Sequence, residues 1–263
     1  MTDQARRDQL AASLAGVRER IARACSAAGR DEGSVALVAV TKTYPAEDVV
    51  LLAGLGVTDV GENKDQEAAA KAAQVASAGV VVRWHFVGQL QRNKARSVVR
   101  YADLVESVDS LRLASALDAA AGRLRDAPLD VLIQVSIDGD PARGGAIDPA
   151  AGGSPAGRVA GRPAPGDLAG ASDPDRDLRR IADAVASSES LRLRGLMAVA
   201  PRGWEPGRAF EVLAGTAARL RADHPDATVL SAGMSGDLEQ AVQHGATHVR
   251  IGTSLLGMRN TLR

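Results

Sequence analysis

Cysteine is almost absent from this chain. Cys25 is the only one in 263 residues, which excludes an intrachain disulfide and a cysteine-based zinc cluster and leaves a packing residue in a helical pattern. Histidine offers no substitute metal site, because His224, His244 and His248 lack ligand spacing. Net charge is absent as well. The 32 basic side chains balance 32 acidic ones, so there is no electrostatic footprint for nucleic acid or an anionic membrane. No stretch approaches the roughly 18 uninterrupted apolar residues of a membrane span, and residues 1–8 contain no apolar signal core. The expectation is a soluble, cytoplasmic protein. Lysine is the last scarcity: there are four, against 28 arginines.

One of the four is Lys42, directly after the apolar run Val35-Ala36-Leu37-Val38-Ala39-Val40-Thr41. Arginine cannot be deprotonated in a protein, so a chain that prefers it has kept a lysine here where an amine can be needed. Desolvation at the mouth of an apolar strand lowers an ammonium pKa, and a neutral amine forms a Schiff base with an aldehyde. A strand-end lysine can equally snorkel to solvent, and position alone leaves both readings open.

The length suits two small domains or one α/β barrel. Periodicity favours the barrel. Leu10, Leu14, Val17 and Ile21 share one face of an opening helix that ends near Gly29. Strands are expected at residues 35–41, just before Gly61-Glu62-Asn63, and at 80–87, 103–108, 129–136, 193–200, 228–230 and 248–251, with helices between them. Pro45 opens one helix, and Ser110 caps another whose face holds Leu113, Leu117, Ala120 and Leu124. This alternation predicts a single (β/α)8 TIM-type barrel over residues 1–263, preceded by an N-terminal helix. Residues 138–172, rich in Gly, Pro, Ala and Asp, break the rhythm and predict a long flexible insertion after strand five. Asp173 and Pro174 are expected to start the next helix, with Leu178, Ile181 and Val185 on one face.

In such a barrel functional residues sit at the C-terminal strand ends, and phosphate sites form after strands seven and eight. Lys42 follows strand one, Asn63 strand two, and Gly88-Gln89 strand three. Strand seven runs into Ser231-Ala232-Gly233-Met234-Ser235-Gly236, and strand eight into Arg250-Ile251-Gly252-Thr253-Ser254. Each glycine-containing turn alone is ordinary capping; two of them opposite a strand-one lysine can cradle an anion. Lysine, cradle and arginine together point to pyridoxal 5′-phosphate (PLP). Arg250 can donate to the pyridine nitrogen, which would make the cofactor a weak electron sink. A plain salt bridge is the alternative for Arg250.

The blocks Val40-Thr41-Lys42-Thr43-Tyr44-Pro45, Gly61-Glu62-Asn63, Trp84-His85-Phe86-Val87-Gly88-Gln89-Leu90-Gln91-Arg92-Asn93-Lys94, Ser107-Val108-Asp109-Ser110, Gly195-Leu196-Met197-Ala198, Ser231-Ala232-Gly233-Met234-Ser235 and Val249-Arg250-Ile251-Gly252-Thr253 resemble the pyridoxal phosphate homeostasis protein family. They run in family order from about residue 10 to 258. The resemblance implies a barrel similar to the N-terminal domain of alanine racemase, with PLP bound as a Schiff base on Lys42. It further implies Asn63 beside the cofactor, Ser235, Gly252 and Thr253 at the phosphate, and Arg250 at the pyridine nitrogen. Met197 and Met234 are expected either to line the site or, as apolar residues, to pack in the core. Three departures stand out: Lys64-Asp65 replaces an aromatic or apolar pair, Ala232 replaces a methionine, and residues 140–145 with the insertion replace a short segment after strand five.

PLP racemases of this fold bring a catalytic tyrosine from an added β domain, for which the ten residues after Thr253 are too few. The only tyrosines are Tyr44 and Tyr101, and Tyr44 is expected to pack over its loop. The expected function is therefore binding, buffering or delivering PLP in vitamin B6 homeostasis, which affects amino- and keto-acid balance. PLP is the expected ligand, PLP-dependent apoenzymes are candidate recipients, and the chain is expected to be a monomer. A racemase of low activity and a Schiff-base aldolase without PLP are the alternatives. His85 could serve either as a general base, although a histidine inside an apolar strand is usually a satisfied core residue.

Overall fold

The computed structural model describes residues 3–139, 144–151 and 173–257. Its elements alternate along the chain. The first half contains α1 (Asp3–Ala27), β1 (Ala36–Val40), α2 (Ala46–Gly54), β2 (Asp59–Glu62), α3 (Asp65–Ser77), β3 (Arg83–Phe86), α4 (Ala95–Val98), β4 (Leu104–Val108) and α5 (Leu111–Leu124). The second contains β5 (Leu129–Gln134), α6 (Leu178–Ala186), β6 (Leu191–Met197), α7 (Pro206–Asp223), β7 (Val229–Ser231), α8 (Leu238–Gln243), β8 (His248–Ile251) and α9 (Thr253–Leu256). Each strand pairs in parallel with the next, and β8 returns to β1 with Ala36 opposite His248, so the sheet closes. The TIM-type barrel expected from the alternation is the one that forms.

Parallel strands with helices outside and side chains within are buried on both faces, which is why they read as apolar runs. The two-residue period sorts the faces. On β3, Trp84 and Phe86 join helix-facing apolar clusters, whereas His85 reaches across the lumen to Asp59 and Glu106. The lumen itself is divided. Leu104, Leu132 and Met197 form a small apolar cluster, and the charged or polar Asp59, His85, Glu106, Ser231 and Arg250 are buried beside it. Outside, α1 buries Leu10, Leu14, Val17 and Ile21 against α2, α8 and α9, and each fully buried leucine contributes about 2 kcal/mol.

Several boundaries differ from the sequence expectation: β5 ends at Gln134 rather than residue 136, and β6 runs from Leu191 to Met197 rather than over 193–200. Two other differences have a clear local cause. β3 begins at Arg83 rather than residue 80, and Val81 is 94% exposed: three consecutive valines without a strand partner form a connection. α6 is capped by Asp177, which accepts from the Arg180 amide at 3.0 Å, whereas Asp173 makes a local turn by accepting from Asp175 N. The apolar face Leu178, Ile181 and Val185 is buried as expected.

Of the insertion after β5, residues 140–143 and 152–172 lie outside the described residues. Residues 144–151 are fastened to the barrel. Ala146 is buried and exchanges bonds with the β5 end, accepting from Ser136 N at 2.9 Å and donating to Gln134 O at 2.7 Å. Ile147 likewise pairs with Arg176 O and Leu178 N at the start of α6. Among the described residues no helix is long and apolar enough to cross a membrane.

Candidate functional site

Strand parity places Lys42 at the barrel mouth. Thr41 turns outward to Glu62 and α3, and the next residue, Lys42, is exposed at the C-terminal end of β1. Of the two settings that position left open for it, the solvent-exposed one is found. The turn beneath is firmly made. Tyr44 N donates to Thr41 O at 3.0 Å, and Thr43 takes a positive φ of 68°. Behind it lies a buried ion pair, Lys71 Nζ to Glu62 Oε1 at 2.5 Å, and burial raises the Glu62 carboxyl above its ordinary value despite Lys71 and Thr41.

Gly252 follows β8, the neighbour of β1, and lies against it: a β-carbon on Gly252 would be in ordinary contact with Val40 O at 3.5 Å. Gly252 caps α9, accepting from the amides of Leu255 and Leu256, and Thr253 is its first helical residue. The turn after β7 meets this one: Ser254 Oγ donates to Ser235 Oγ at 2.9 Å. Gly233 has φ of 90°, and a β-carbon there would stand 2.6 Å from that of Ala241, so the turn requires glycine. Met234 is half exposed on the rim of a cleft of about 640 Å³ that also includes Gln134, Ser136, Val199 and Arg202. Of the two readings open for Met197, core packing is found: it belongs to the lumen cluster with Leu104 and Leu132, because its place at the end of β6 points it inward.

Arg250 is buried two residues below the Gly252 turn. Its Nη1 donates to Ser231 Oγ at 2.7 Å and its Nη2 to Ala198 O at 2.8 Å, with Glu106 Oε2 3.8 Å away. Guanidinium has five N–H donors, so these bonds orient its plane with donors to spare. Glu106 accepts from Ser231 Oγ at 2.6 Å and meets His85 Nδ1 at 2.6 Å, and His85 Nε2 meets Asp59 Oδ1 at 3.0 Å. Burial alone would lower the His85 pKa, but two carboxylate partners raise it to about 9. The same imidazolium overcomes burial to hold Asp59 and Glu106 at about 2. His85 is thus a satisfied interior cation.

Asn63 follows β2, and its Oδ1 is buried without a hydrogen-bond partner among the described residues. A buried acceptor left open is a place for a ligand donor. Tyr44, expected to pack over its loop, instead reaches the segment after α9 and the start of α1: its hydroxyl donates to Gly257 O at 2.5 Å, and the Arg6 guanidinium lies 5.8 Å from its ring centroid. The structure therefore brings Lys42, Asn63, Ser235, Gly252 and Thr253 to the ends of four adjacent strands, β7, β8, β1 and β2, with Arg250 below and Met234 at the rim. Sequence reasoning missed Glu67, Lys71 and Glu106, and quoted Glu62 and Ser231 without giving either a role. For Lys71 a signal existed, since the scarcity that singled out Lys42 applied to it equally.

The family model described as "Alanine racemase, N-terminal domain" matches residues 13–161. The pyridoxal phosphate homeostasis protein of Mycobacterium leprae (strain TN) is 44% identical over 264 residues, covering 96% of this chain and 93% of its own. Among solved structures, an unknown protein from Bifidobacterium adolescentis is 30% identical with a TM-score of 0.79 over 97% of each chain. PipY of Synechococcus elongatus PCC7942, solved with PLP bound, is 33% identical with a TM-score of 0.73, over 94% of this chain and 100% of that one.

Proposed function

This chain belongs to the pyridoxal phosphate homeostasis protein family, and on that premise we propose that it binds PLP covalently through Lys42 and acts in PLP homeostasis as a carrier or buffer of vitamin B6 in the cytoplasm. The observation that carries this reading is the convergence of an exposed lysine amine, two joined glycine-serine turns and a buried arginine on adjacent strands of one barrel mouth. The residues present suit the cofactor. The Gly252 turn, with Thr253 opening α9, and Ser235 offer amides and hydroxyls for a phosphate; Asn63 Oδ1 is an acceptor in need of a donor.

When bound, PLP supplies an aldehyde for the Lys42 amine and an electron sink, which an arginine at the ring nitrogen keeps weak. The protein's own contribution is placement. Ser231, Ala198 O and Glu106 hold the Arg250 guanidinium, and because an arginine does not give up its proton it would donate to a ring nitrogen placed against it without protonating it. Lys42, being exposed, lets PLP enter and leave without a buried path, as a carrier requires. PLP-dependent apoenzymes would be the recipients, and the chain would work as a monomer.

Borohydride reduction of the PLP-loaded protein followed by peptide mass spectrometry tests the assignment. PLP is expected on the Lys42 peptide and to be missing from a Lys42→Ala variant. Equal trapping in both, or none in the parent, would sink it.

A further inference from the structure

Both peptide groups that flank Lys42 are held from one helix. The Thr41 carbonyl, in the peptide bond leading into Lys42, accepts from Lys71 Nζ at 2.8 Å. The Thr43 amide, in the bond leading out, donates to Glu67 Oε1. Glu67 and Lys71 are one turn apart on α3 and pair at 3.4 Å. Glu62, at the end of β2, seats the assembly by accepting from Lys71 Nζ and, at 2.7 Å, from the Thr41 hydroxyl. Lys71 is 5% exposed and Glu62 fully buried, so the charge-assisted bonds these two make act where water does not weaken them, whereas the Thr43 to Glu67 bond lies at the surface.

The clamp acts on a backbone that resists its shape. Thr43 is the one non-glycine residue with positive φ among the described residues, and a β-branched side chain is a poor choice for it. Strained conformations of this kind persist where the surroundings over-determine them. We propose that the Glu67 and Lys71 pair of α3, seated on Glu62, positions the Lys42 amine for PLP by fixing the peptide groups on either side of it. They are positioning residues, acting through the main chain of Lys42. The inference rests on the reading of Lys42 as the PLP lysine.

The test uses the full chain: parent, Glu67→Ala, Lys71→Met, and the double variant Glu67→Ala with Thr43→Gly. Three quantities are read: the PLP dissociation constant, the fraction trapped on Lys42 by borohydride, and the melting temperature of the PLP-free protein. Glu67 is part exposed, so its truncation leaves no buried charge unpaired and serves even if Lys71→Met does not fold. Glu67→Ala is expected to weaken PLP binding roughly tenfold, the worth of one hydrogen bond to a charged group. Its melting temperature should fall by no more than about 4 °C. Adding Thr43→Gly should recover most of the affinity, since glycine adopts the required φ unaided. A purely structural network gives the opposite pattern, a lower melting temperature with PLP affinity and trapping unchanged, and that overturns the proposal. If the parent traps no PLP on Lys42, the Lys42 reading fails and takes this inference with it. If the parent traps PLP and the variants match it, only the positioning role is lost.

Discussion

A β-carbon at position 88 would lie 2.2 Å from Asn63 O and 2.7 Å from its Cα, so the end of β3 can pass the Asn63 backbone only as glycine. Gly88→Ala is expected to cost about 2–3 kcal/mol, because the obstacle is main chain and cannot swing aside. Urea denaturation checks this, with Gly54→Ala as the control, since a β-carbon there meets nothing within 4 Å. Residues of this kind were only partly legible. Lys42 stood out because lysine is rare, and Arg250 because it ends a strand beside a glycine turn. Their partners did not stand out: Ser231 and Glu106, which together hold Arg250, are 125 residues apart and meet only when the barrel closes.

At the scale of elements, local chemistry identified helices well and their first residues less well. Asp173 followed by Pro174 reads as a helix start, but the apolar period begins at Leu178, and the cap belongs to the residue immediately before it, Asp177. Asp177→Ala is accordingly expected to lower stability by about 1 kcal/mol through loss of the Arg180 amide bond, and Asp173→Ala by less than half as much. Their urea midpoints, compared at constant slope, settle the order. The valines at 80–82 misled for a related reason. An apolar run predicts a strand only if a neighbour pairs with it, and the pairing of β2 with β3 starts at Asp59 opposite Arg83.

For the whole molecule, the lumen ties stability to pH. His85 lies between Asp59 and Glu106, with the His248 ring 6.1 Å away, Arg83 beyond Asp59 and Arg250 beyond Glu106. Its pKa is raised from 6.5 to about 9, so the stabilisation it confers is complete below about pH 6.5 and is lost as pH rises through 9. Asp59 and Glu106 are depressed to about 2, so theirs is present above the ordinary carboxylate range and is lost as pH falls through 2. Urea midpoints of the PLP-free protein should therefore decline between pH 7 and 9, and His85→Gln should flatten that alkaline limb whatever it does to stability at neutral pH. An unchanged slope in the variant would assign the decline to another group. The barrel, the order of its strands and the position of Lys42 at a strand end were readable from the chain alone, because they follow from two periodicities and a few capping residues that act over neighbouring positions. Which groups meet emerged with folding: the clamp of Glu67 and Lys71 around Lys42, the ion pair of Glu106 with Arg250, and the passage of the Gly88 backbone past Asn63. These are contacts between separate strands and helices, and ring closure of the sheet sets their distances, which no local propensity encodes.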